Sequence, residues 1–122
     1  MATRSTIWVK NENGLYDGIY CHWDGYLSNN GKLLFKNYKT FESVKELISF
    51  GDMSQLADTI SKCEFYHRDR KQEFKMYKDF KFEEIQDVFE EYNYFFINNK
   101  WKFISYRGKL VNITKRLLEE EE

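Results

Sequence analysis

The sequence predicts an α+β domain, an antiparallel β-sheet with helices packed on one face, and three observations carry that expectation. Stretches rich in β-branched and aromatic residues flank two tight-turn dipeptides, Asn13-Gly14 and Asn98-Asn99. Between these hairpin signals lies a helix-capping sequence followed by an apolar stripe at helical spacing. The length of 122 residues suits one domain, 1–122, with 117–122 read as a solvated tail.

Residues 3–10 alternate and include Thr6, Ile7 and Val9, so the first strand is placed there. Asn13-Gly14 then predicts a two-residue turn in which both central residues take positive φ. The second strand runs from Ile19 to about Trp23, with a bulge or longer loop at Asp17-Gly18. Asp24-Gly25 ends it and residues 27–31 read as a loop. Leu34, Phe35 and Tyr38 give residues 31–38 a helical spacing. Ser43 and Glu46 form a capping box over the stripe Val44, Leu47 and Ile48, and Gly51 closes that helix. Residues 52–60 are expected to hold one further helical turn. Residues 63–67 and 73–77 read as strands around the charged turn from Arg68 to Lys71. Phe82, Ile85, Phe89 and Tyr92 mark a helix face, with Glu83, Glu84, Asp87, Glu90 and Glu91 as an acidic outer surface. Residues 94–97 and 100–106 form the closing hairpin, and 112–120 are expected to be helical.

Composition narrows the function classes. Nineteen Lys and Arg against 20 Asp and Glu give a net charge of -1, which argues against a general nucleic-acid binder. No apolar run reaches the roughly 18 residues of a membrane span, and residues 1–9 lack the apolar stretch of a signal peptide. A cytoplasmic location is expected. Aromatic residues make up 19% of the chain, enough to build a core and still offer flat faces to a planar ligand.

The densest chemical cluster is Tyr20-Cys21-His22-Trp23-Asp24-Gly25-Tyr26. On a strand, Tyr20, His22 and Asp24 share one face and Cys21 and Trp23 the other. His22 and Asp24 therefore suggest an oriented acid–base pair, against the plainer reading of a polar strand end running into a turn. No nucleophile accompanies them, since Cys21 points away and no Gly-x-Ser-x-Gly elbow exists. A zinc site from Cys21, His22, Cys63 and His67 has suitable ligand types but not the spacing, so no metal and no cofactor is expected. Glycine-rich phosphate loops are absent, which leaves arginine, lysine and aromatic rings to hold any nucleotide. Arg107-Gly108-Lys109 and Lys115-Arg116 form a basic patch near the end of the chain.

The segments Ala2-Thr3-Arg4-Ser5-Thr6-Ile7, the Asn-Gly turn, Ile19 to Tyr26, Gly31-x-x-Leu34 leading to Tyr38, and Leu47-x-x-x-Gly51-Asp52-x-Ser54 resemble a family of small phage and prophage proteins. The resemblance covers residues 2 to about 56, and Leu27 stands where that family usually has Pro. Within such proteins the chain is similar to the anti-Thoeris sponges. These capture intact the cyclic ADP-ribose-type signal of a TIR-domain enzyme, and some trap cyclic oligonucleotides.

The resemblance implies a non-catalytic counter-defence protein in the host cytoplasm, a homo-oligomer that sequesters a cyclic nucleotide signal between subunits. Arg4, His22, Trp23, Asp24 and Tyr26 are the candidate ligand-binding residues within the resembling stretch. Phe82, Arg107 and Lys109 join them on chemical grounds alone. Two other classes compete: an anti-CRISPR-like inhibitor docking through the acidic surface, and a nucleotide hydrolase using His22 and Asp24.

Overall fold

A computed structural model describes residues 2–105 and 108–120. Its centre is one open, mostly antiparallel sheet with the path β4-β3-β2-β1-β6-β7-β8, while β5 pairs with β2 off that path. The strands are β1 Ser5–Lys10, β2 Tyr16–Cys21, β3 Met53–Gln55, β4 Glu64–Phe65, β5 Tyr77–Phe80, β6 Tyr92–Ile97, β7 Lys100–Ser105 and β8 Val111–Asn112. Helices α1 Lys32–Asn37, α2 Phe41–Ile48, α3 Tyr66–Arg70, α4 Phe82–Ile85 and α5 Lys115–Glu120 complete it. The predicted α+β class holds. Two pairings, β1 with β6 and β2 with β3, are parallel.

Alternation along β1 explains the layering. Ile7 and Val9 enter one core cluster with Leu34 of α1, Val44, Leu47 and Ile48 of α2, and Leu118 of α5. Trp8, on the opposite face, enters a second cluster with Tyr16, Phe95, Ile104 and Ile85 of α4. Helical residues therefore bury on both sides of the sheet, and α4 is the departure from a one-faced arrangement. Leu118 is buried, so the chain is anchored through that residue rather than becoming a solvated tail at 117. No helix among the described residues is long and apolar enough to cross a membrane.

The strand expected at 73–77 forms instead at Tyr77–Phe80, and local chemistry accounts for the other differences from the sequence reading. In the first hairpin the Asn11 side chain accepts from the amides of Asn13 and Leu15, and only Gly14 takes a positive φ, of 78°. The loop is thus a side-chain-supported turn, not a mirror-image two-residue turn. The Asn98-Asn99 turn does take positive φ at both residues, 51° and 61°. Gly18 makes no bulge against β1, where the register runs unbroken; the irregularity lies on the other edge, against β5.

Residues 27–31 form a π-helical turn leading into α1. Helix α2 begins earlier than the Ser43 signal, because Thr40 is the cap and Ser43 its reciprocal partner. The helical turn expected at 52–60 is displaced by β3: Met53 pairs with Cys21, and the Asp52 carboxylate accepts from the Tyr20 amide at 2.9 Å. Only Glu64 and Phe65 of residues 63–67 are strand, because the Asp69 carboxylate accepts the Phe65 amide and opens α3. The helix expected over 82–92 stops at Ile85, passes through a 3-10 turn at Gln86–Val88, and yields Tyr92 to β6. The acidic outer face is broken accordingly. The helix expected over 112–120 forms as α5 from Lys115 to Glu120, while Asn112 instead ends β8.

Candidate functional site

The 20–26 corner is tightly wired, and its wiring is internal. Amides of His22 and Trp23 donate to the carbonyls of Met53 and Ser54, extending the β2–β3 pairing beyond Cys21. The Tyr20 hydroxyl and His22 Nδ1 lie 2.7 Å apart. Asp24, with φ 57°, takes a hydrogen bond from Gln55 through its carboxylate at 3.3 Å. His22 and Asp24 therefore have different partners, Tyr20 and Gln55, instead of forming an acid–base pair. Burial pushes the Tyr20 phenol up to about 12 and the Cys21 thiol up to about 12. Cys63, also raised by burial, is enclosed by Tyr38, Ala57 and Thr59.

The remaining predicted residues disperse. Trp23 and Tyr26 are 42% and 39% exposed, and the Trp23 indole meets the His22 ring edge-on at 4.7 Å. Arg4 is exposed, and its backbone carbonyl accepts from Tyr92. Phe82 is half-buried on the second core, packed against Tyr16 and Phe95 at 6.0 and 5.5 Å. Lys109 is exposed, while Arg107 lies outside the described residues. Among the described residues no group of three or more His, Cys, Asp and Glu is placed to hold a metal ion.

A different concavity has the composition of a ligand site. It encloses about 570 Å³ at the end of the sheet where β6 turns into β7, a volume within the range of small-molecule sites. Phe96, Trp101 and Ile113 form a buried floor, and Phe35 of α1 adds a partly exposed ring. Lys39, Lys100 and Lys115 stand around it with Asn99, Asn112 and Thr114, and no carboxylate among the described residues lines it. None of the three lysines makes an ion pair among the described residues.

Three hydrogen bonds gather these distant segments. The Trp101 indole N–H donates to the Tyr38 carbonyl at 2.8 Å, tying the end of α1, and hence Lys39, to the start of β7. The Ile113 amide donates to the Trp101 carbonyl at 2.9 Å, bringing residues 112–115 alongside. The Thr114 hydroxyl accepts from the Leu117 amide at 3.1 Å and sets the start of α5, where Lys115 lies. Ammonium groups without an ion pair among the described residues, above an apolar floor, attract a ligand that is anionic at one end and flat at the other. Comparison with protein-family models, with curated proteins and with solved structures finds no match.

Of the groove residues, only Lys115 falls within a basic patch visible in the sequence. Lys39 and Lys100 carry no sequence signal, since isolated lysines beside turns look like ordinary solvated surface. Their significance comes from the Trp101–Tyr38 bond, a contact across 63 residues.

Proposed function

We propose that the protein binds a nucleotide-type signalling molecule in the lysine-walled groove and holds it without chemical change. The observation that carries this reading is the set Lys39, Lys100 and Lys115, unpaired among the described residues, around a floor of Phe96, Trp101 and Ile113. Phosphates satisfy the ammonium groups, and a base or ribose covers the apolar floor and the Phe35 ring. A bare inorganic anion leaves that floor wet. A long nucleic acid is disfavoured by the chain's net charge of -1.

The resemblance of residues 2–56 to small phage and prophage proteins, and the similarity of the chain to the signal-sequestering sponges among them, support a cyclic nucleotide signal, of the cyclic ADP-ribose type or a cyclic oligonucleotide, as the ligand and counter-defence in a host cytoplasm as the setting. Sequestration without turnover agrees with the corner chemistry, where His22 is engaged by Tyr20 and Asp24 by Gln55. The polar rim of the groove is exposed. We assign its outer cover to a second copy of the chain.

Thermal melting with cyclic ADP-ribose isomers, cyclic oligonucleotides and ADP tests the reading. A ligand at one hundred times its Kd adds about 2.7 kcal/mol, a rise of roughly 8–13 °C for a domain this size. Heat release followed by chromatography then has to return the ligand intact. No shift with any of these nucleotides overturns the proposal, and recovery of a hydrolysed ligand overturns its non-catalytic part. Light scattering with and without ligand tests the second copy.

A further inference from the structure

The groove is not isolated. A second concavity of about 360 Å³ lies on the other side of the Asn98-Asn99 turn, lined by Lys10, Asn11, Glu12 and Phe41 together with Asn98. Phe96 and Asn99 line both concavities. The two concavities therefore adjoin at these residues, as two lobes of a furrow at the hairpin tip. Each lobe has its own partly exposed ring, Phe35 in the first and Phe41 in the second.

Their charges differ. Among the described residues the first lobe has three lysines and no carboxylate; the second balances Lys10 against Glu12. Phosphates are thus held in the first lobe. The second suits an uncharged group with a flat face and hydroxyl or amine donors for the Glu12 carboxylate, which describes a nucleoside. Repulsion between Glu12 and a phosphate acts in the same direction. Lys45 lies over the ring on which that nucleoside rests, its ammonium 5.3 Å from the Phe41 centroid.

We infer that the furrow takes a ligand with two nucleoside units joined through phosphate, one unit in each lobe, in preference to a mononucleotide. This rests on the reading of the groove as a nucleotide site. Calorimetric titration of the full chain with ADP and with diadenosine diphosphate separates the two ideas. Both probes carry a pyrophosphate and adenine, and the second adds a nucleoside without adding negative charge.

The expected result is binding of diadenosine diphosphate about tenfold or more tighter than ADP, the gain of one further stacked base. Phe41→Leu, which keeps the apolar volume but removes the ring plane, is expected to erase most of that gain and leave ADP binding unchanged. Lys100→Ala is expected to weaken both probes. Equal affinity for the two probes, or a gain that survives both Phe41→Leu and Phe41→Ala with melting confirming a folded chain, overturns the two-lobe inference alone. Failure of both probes to bind overturns the nucleotide site itself, and the furrow with it.

Discussion

Gly18→Ala tests the packing that holds the sheet together. Gly18 sits directly opposite Trp8 in the β1–β2 register. A methyl group there would lie 2.3, 2.4 and 2.8 Å from three carbons of the indole ring. All three distances are far inside van der Waals contact, and the ring has little freedom to retreat. Its N–H donates to the Thr6 hydroxyl at 2.7 Å, Tyr77 stacks on it at 5.3 Å, and Trp8 is fully buried. Overpacking of a filled core costs about 1–3 kcal/mol, and losing the Thr6 bond adds about 1 kcal/mol. Gly18→Ala should therefore cost about 3 kcal/mol, a melting temperature lower by roughly 9–15 °C for a domain of this size. Urea and thermal denaturation measure it. Since the clash is with one ring, adding Gly18→Ala to Trp8→Leu should cost under about 1 kcal/mol. A single-variant loss below about 1 kcal/mol, or full additivity of the pair, refutes this account of Gly18.

Asn93→Ala should cost about 2–3 kcal/mol in urea denaturation, because the buried Asn93 amide bonds Thr6, both polar backbone groups of Glu90 and the carbonyl of Ile104. Neither Cys21 nor Cys63 should react with a thiol reagent at pH 8 in the folded chain, and both should react in denaturant, as a mass shift records. The Cys21 thiol is raised from 9.0 to about 12, so its contribution to stability is full below about pH 9 and falls as pH rises toward 12; a melting temperature flat across that window contradicts it. Single Lys39→Ala, Lys100→Ala and Lys115→Ala variants should each weaken ADP several-fold in calorimetry, with a smaller loss in high salt, and leave the melting temperature of the free protein within about 2 °C.

Much of the sheet is legible in the sequence because its signals are local. The Asn98-Asn99 hairpin needs only two residues that tolerate positive φ, and both adopt it. The Val44, Leu47 and Ile48 stripe is likewise contained in one helix, and all three are fully buried. Failures occur where partners come from far along the chain. Residues 53–55 become strand because β2 offers them an edge, and residues 89–92 leave the helical pattern because Tyr92 pairs with Ser5. The site follows the same rule. Tyr20 to Tyr26 drew attention because its chemistry is contiguous, whereas the groove assembles lysines from three segments joined by tertiary hydrogen bonds.

The central claim concerns where a nucleotide binds, and amide chemical-shift mapping during titration with ADP measures that directly. Shifts concentrated at residues 35–39, 99–101 and 112–115, with 22–26 unmoved, are the predicted result. Shifts confined to 22–26, or none at saturating nucleotide, contradict it.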